Sequence, residues 1–377
     1  MHKNFVEQKS SLVVRLHRWL APLACGIILI APIIRFSTNF GIIVDAVGLF
    51  LLIICVALQG IVRPVQYLDR VMLSAVSYLL VVVILSAIFV GTEMAFEKAL
   101  GIFVGGCVFY ITIFAFNEAP DVRAFGITFI FLSFIFIALS FQKGLEAVYE
   151  KRLLFSFACA IAIFSIYFFS LTAKWWQNFF LIGLVIPFIY WGTMSGNRSL
   201  LLISVLTISF HYMFFHKKRL TATLIFLPSA AAFGFIYWYF FSDSVMIARI
   251  LATSDVGLGR EGIWAASFSG IMETFPMGAG INESYRYLPG FFWSHNILLE
   301  LLLELGVFSI PILLVSVSIT FLAMFSRKKE QVFFLMIFLI CLLNFMKSFS
   351  LGDVRLLTLP LALLIITMRK LPNVGVN

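Results

Sequence analysis

The chain has 377 residues, of which 62% are hydrophobic and only 12% charged, with a formal net charge of +9. A soluble domain carries about 25% charged residues, so that class is excluded. A mean hydropathy of +1.05 and repeated apolar runs define a polytopic helical membrane protein, and the lack of period-two alternation excludes a closed barrel.

The N-terminus, MHKNFVEQKSSLVVRLHRWLAPLACGIILIAPII, has a basic start and then an apolar run. It lacks a small-residue cleavage site, so a retained first helix is expected rather than a cleaved signal peptide. About twelve transmembrane helices are predicted, over residues 19–35, 40–61, 72–90, 98–116, 124–141, 153–171, 176–193, 199–215, 220–241, 296–325, 331–349 and 354–368. The predicted fold is all-α, a single integral membrane domain over 1–377. Cys25, Cys55, Cys107, Cys159 and Cys341 all lie in apolar runs without metal or disulfide spacing, so they read as packing residues.

The loops set the orientation. With the N-terminus inside, sixteen of the 27 basic residues fall on the inner side, including Lys217–Lys218–Arg219 and Arg327–Lys328–Lys329. That is the positive-inside bias of a bilayer protein, and it puts both termini in the cytoplasm. Basic clusters placed between spans also argue for the membrane and against nucleic acid as the partner.

Two regions then lie outside. One is the short connection GTMSGNRS, 192–199; the other is the single long loop, 242–294. Long loops between spans are where function concentrates. Trp264, Phe268, Ile271 and Phe275 recur at helical spacing in this loop. It is therefore expected to carry short amphipathic helices lying on the membrane surface.

Several polar residues on that side need a reason. Of five histidines, only His295 falls outside, where the loop re-enters the membrane. Its ordinary pKa near 6.5 suits a base, relay or orienting donor. The plainer alternative is a helix cap, with Ser294 or Asn296 binding free amides. Arg198 follows MSGN at a span mouth, and its planar fork of donors suits a phosphate or diphosphate. A snorkelling arginine is the commoner case for a lone residue. Arg260 begins the amphipathic stretch, and pairing with Asp255 or Glu261 is its plainer reading. Arg286 and Arg249 add positive charge to the same loop, and Arg35 and Arg355 lie at outer span ends. A cation channel would instead favour acidic rings.

Glu300 and Glu304 lie inside a span. Intramembrane carboxylates are functional by default, though a buried partner is often the whole explanation. They follow His295 by five and nine residues, so neither shares its helical stripe and no His–Glu dyad is read. They are expected to hold a polar group or an arginine of a neighbouring helix. PMGAGINE lacks the P-loop pattern, and GxSxG, HExxH and DxD are absent. No metal or cofactor is indicated. Trp175, Trp176 and Trp293 read as interfacial anchors.

Three stretches, SGNRSLLLISV, GLGREGIWAASFSGIMETFPMGAGINE and SHNILLELLLELGVFSIPILL, together resemble the O-antigen ligase and polymerase superfamily of bacterial membrane glycosyltransferases. The resemblance covers about residues 190–315. It implies glycan transfer from undecaprenyl diphosphate on the periplasmic face of the inner membrane, without metal or nucleotide. It assigns Arg198 and Arg260 to the diphosphate and His295 to orienting or deprotonating the acceptor hydroxyl. Asn296, Glu300, Glu304 and Arg286 would support them. The HNILLELLLELG run is closer to a polymerase, which joins lipid-linked repeat units and works with a chain-length regulator. A ligase, which transfers to lipid A–core, is the alternative. A lipid-linked oligosaccharide flippase is the alternative of another class, but its cations would line a central cavity.

Overall fold

A computed structural model describes residues 2–30, 40–59, 66–116, 118–141, 152–194, 199–215, 260–288, 290–326, 328–346 and 349–369. The described residues form helices and contain no strand. In chain order the α-helices are α1 (His2–Ile30), α2 (Phe40–Gln59), α3 (Tyr67–Val90), α4 (Glu93–Ala115), α5 (Val122–Phe141), α6 (Arg152–Ser170) and α7 (Trp175–Met194). There follow α8 (Ser199–Phe215), α9 (Arg260–Thr274), α10 (Ile297–Leu305), α11 (Ile310–Met324), α12 (Lys329–Phe345) and α13 (Arg355–Met368). A helix satisfies its own backbone polar groups, which is the condition for a chain this apolar to enter a bilayer.

Helices occupy every expected span except 220–241, which lies outside the described residues. Six stretches are long and apolar enough to cross a membrane: Val13–Ile30, Tyr67–Val90, Glu93–Ala115, Val122–Leu139, Leu153–Ser170 and Ile297–Met324. Ala46–Leu58, Leu202–Phe215 and Arg355–Met368 are apolar but shorter. By length and composition these six are the candidate crossings among the described residues, and the count of twelve stays an expectation.

The chain divides into two compact units. The first holds residues 1–62 and 114–253. Here α1 packs on α2 and α5, and α6 packs on α5, α7 and α8. The centre of this unit is α6, with Phe155, Phe157, Cys159 and Phe164 fully buried. His211 is buried on α8, with Nδ1 2.8 Å from the Tyr167 hydroxyl, so it is a satisfied core histidine. At the start of α5, Asp121 accepts from the N–H groups of Arg123 at 2.8 Å and Ala124 at 3.2 Å, and from Arg18 Nε at 2.5 Å. Partial burial pushes its carboxyl up. The Ala124 amide, Arg18 and the Arg123 amide outweigh that and hold it below its ordinary value.

The second unit holds residues 63–113 and 254–377. There α12 packs along α13, α9 along α10, and α3 touches α10, α11 and α13. At one end Arg369 Nε bonds both oxygens of Asp69, at 3.2 and 3.1 Å, and Arg369 Nη2 donates to the Ile113 carbonyl at 2.8 Å. This joins the start of α3 to the ends of α4 and α13, the antiparallel arrangement that alternating spans require.

The span expected over 296–325 is present as the apolar stretch Ile297–Met324, with an interruption inside it. Residues 296–325 do not form one continuous helix. After α10 the chain makes a 3-10 turn at Gly306–Ser309 before α11. The cause is the loop Pro276–Gly280, which docks its backbone on the break. Ala279 N–H donates to Leu303 O at 2.7 Å, Gly280 N–H to Glu304 O at 2.9 Å, and Val307 N–H to Pro276 O at 2.9 Å. Carbonyls that α10 would leave without partners are thereby satisfied. The approach admits no side chain. A Cβ on Gly306 would stand 2.0 Å from Pro276 O, and one on Gly278 would stand 2.6 Å from Glu304 O. Both also have positive φ, +56° and +82°, where glycine alone is unstrained.

Candidate functional site

The residues singled out at 260–304 that are described in full all lie in the second unit. The loop after α9 leads through a cis Phe275–Pro276 peptide and the glycines to a short turn at Ser284–Arg286. The segment Phe291–Asn296 then brings the chain into α10.

Asn296 caps α10. Its side-chain oxygen accepts from the N–H groups of Leu298 at 3.0 Å and Leu299 at 3.3 Å. Its carbonyl accepts the Glu300 N–H at 2.9 Å and the buried Ser294 hydroxyl at 2.8 Å. The capping role weighed for SHN thus falls to Asn296, while Ser294 braces the cap.

His295 does neither. Its φ is +53°, a left-handed conformation that is rare outside glycine and costs about 1–3 kcal/mol. The half-buried ring stands edge-on to Phe291 and Trp293, with centroids 6.0 and 5.3 Å away. Trp293 Nε1 lies 3.0 Å from His295 Nδ1. Trp293, read from sequence as an interfacial anchor, is therefore also a partner of the histidine.

Below the cap, Glu300 and Glu304 are wholly buried on α10. Their cation is Lys98 of α4, itself buried. Lys98 Nζ donates to Glu300 Oε1 at 2.5 Å and to Glu304 Oε1 at 2.6 Å. Glu300 Oε1 also accepts from the Ser350 hydroxyl at 2.8 Å and the Leu351 N–H at 3.3 Å. The Ser284 hydroxyl lies 2.9 Å from Glu304 Oε1 and 3.1 Å from the Phe292 carbonyl. One ammonium faces two carboxyl groups, so it neutralises only one of them. The cluster ties α10 to α4, to the turn before α13, and through Ser284 to the segment that carries His295. The expected partner of the carboxylates was a polar group or an arginine, and the partners found are a lysine and two serines. Lys98 was missed because it stands beside Glu97 at the predicted end of a span. The missed signal was charge: two intramembrane carboxylates call for a cation.

The remaining residues fall elsewhere. Arg286 is exposed and pairs with Glu283 three residues before it. The Tyr285 hydroxyl, and after it the Glu283 carboxylate, push its pKa up, so it stands as a surface cation rather than part of the buried cluster. Arg260 is the first residue of α9, and its side chain is outside what the structure describes. Arg198, Arg249, Arg35 and loop residues 242–259 lie outside the described residues. Arg355 is buried at the start of α13. A helix forms in the expected loop as α9. Its buried side holds Ile263, Ser267 and Gly270, where a Cβ would meet Leu303 at 2.9 Å. Its exposed side carries Trp264, Phe268 and Met272, followed by Phe275.

No group of three metal-ligating side chains occurs among the described residues. The sequence matches no family model, and it matches no curated protein.

Proposed function

We propose that the protein is a membrane glycosyltransferase. It takes a glycan from undecaprenyl diphosphate on the periplasmic face of a bacterial inner membrane and passes it to a hydroxyl of a second lipid-linked repeat unit. The observation that carries this reading is His295. A strained, half-buried histidine, bonded through Nδ1 and bracketed by two aromatic rings, sits where the long loop meets α10. Backbone strain of this kind concentrates at functional sites. The neighbouring Pro276–Gly280 loop and the α10 break, which the resemblance treats as separate motifs, are held to one another by main-chain bonds. In this reading Arg198 and Arg260 bind the diphosphate and stabilise its developing charge. The donor needs no further activation, because the diphosphate is already a good leaving group.

Surface-glycan banding in a deletion strain tests the reading. A single repeat on lipid A–core means that a polymerase is lost. Bare core with accumulating lipid-linked polymer means a ligase. Repeat units trapped on the cytoplasmic side mean a flippase, and that outcome removes the transferase.

A further inference from the structure

We infer that Trp293 is a positioning residue that holds the His295 imidazole with its proton on Nε2, so that His295 serves the reaction as a hydrogen-bond donor and not as its base. An indole nitrogen can only donate. At 3.0 Å from His295 Nδ1 it therefore occupies the Nδ1 lone pair, and a neutral imidazole so bonded carries its hydrogen on Nε2. The Nδ1 lone pair is engaged and Nε2 has none in this tautomer, so the ring cannot take a proton without breaking the Trp293 bond.

The surroundings keep the ring in that state. Phe291 and Trp293 stand edge-on to it. The left-handed backbone at His295 is fixed on its C-terminal side by the Asn296 cap and on its N-terminal side by Ser294, whose hydroxyl bonds the Asn296 carbonyl. Glu300 and Glu304 are committed to Lys98, Ser350 and Ser284. A histidine base is usually oriented by an acceptor on its far nitrogen, as in a triad. Here the far nitrogen faces a donor, the opposite polarity.

The inference rests on the transferase reading for its chemistry. In that chemistry the acceptor hydroxyl oxygen forms a bond to the sugar C1 as the bond from C1 to the diphosphate oxygen breaks. The bonding pair stays on the diphosphate. His295 Nε2–H donates to a diphosphate oxygen, where negative charge grows. The hydroxyl proton leaves on another oxygen of the departing diphosphate, whose last ionisation, like that of a phosphate monoester, has an ordinary pKa near 6.

The test is ¹⁵N NMR of the full chain, labelled at histidine and held in lipid nanodiscs, with the His295 signals assigned by their loss in His295→Asn. The expected spectrum shows His295 neutral at neutral pH with its proton on Nε2. Farnesyl diphosphate, as the probe, should shift the Nε2 signal without protonating Nδ1. In Trp293→Phe the His295 signals should move to a mixture of tautomers, and turnover should fall about 10- to 100-fold with little change in KM. A proton on Nδ1 in the wild-type protein overturns the inference, as does an imidazolium with farnesyl diphosphate bound. The wild-type spectrum decides even if Trp293→Phe does not fold. Failure of the transferase reading is separate: the tautomer would be as stated, but the wild-type protein would transfer no glycan.

Discussion

Lys98→Met is the perturbation whose size follows most directly from the structure. Methionine keeps most of the aliphatic stem and deletes the ammonium that sits 2.5 Å from Glu300 and 2.6 Å from Glu304. The Lys98 side chain is 7% exposed and both carboxylates are 0% exposed, so water cannot replace the lost partner. Removing one member of a buried ion pair costs about 3–5 kcal/mol. For a unit of this size the melting temperature should drop by about 10 °C, read by fluorescence-detected size exclusion after heating. The triple variant Lys98→Met, Glu300→Gln, Glu304→Gln carries no buried charge and should recover at least half of the loss. A single variant melting within about 2 °C of the wild type would refute the claim that this cluster clamps α10.

Other changes are sharper in sign than in size. Gly306→Ala should abolish folded yield, because its Cβ has no room against Pro276 O, whereas Gly183→Ala, with nothing within 4 Å, should leave the yield unchanged. Asn296→Ala should cost about 1 kcal/mol in thermal stability through the lost cap, and Asn296→Asp should keep most of it. Asp121→Asn should melt lower than the wild type at pH 7 by an amount worth under about 1 kcal/mol, since its Arg18 partner is exposed. The folded carboxyl is held below its ordinary value, so its stabilisation is present above that value and is lost as the pH falls through the folded one. The two melting curves should therefore converge below about pH 3.8.

Much of the helical layout was legible because bilayer-length apolar runs leave few alternatives. The edges of α5, α6 and α7 fall within two residues of the expected spans. The break after Leu305 was not legible, since ELGVFSIPILL reads as the continuation of an apolar span and the docked Pro276–Gly280 backbone is what distinguishes Gly306 from a helical glycine. That same contact gives PMGAG a physical reason that its glycine content alone did not. Helical spacing correctly separated Glu300 and Glu304 from His295. It could not supply Lys98, which lies about two hundred residues away along the chain. Trp293 was legible as an aromatic at a span mouth. Its bond to His295 depends on the left-handed turn at the histidine, and nothing in the order of residues announces that turn.

The central claim is transfer from a diphosphate lipid. It is tested most directly by incubating the purified chain in nanodiscs with an undecaprenyl diphosphate-linked repeat unit from its own host, in the presence of EDTA, and measuring released undecaprenyl diphosphate and lengthened glycan together. The account predicts that both appear in equal amounts with the wild-type protein and neither with His295→Asn, a residue that tolerates the left-handed backbone and lacks the ring. Untouched donor with folded wild-type protein, or equal turnover by His295→Asn, would contradict it.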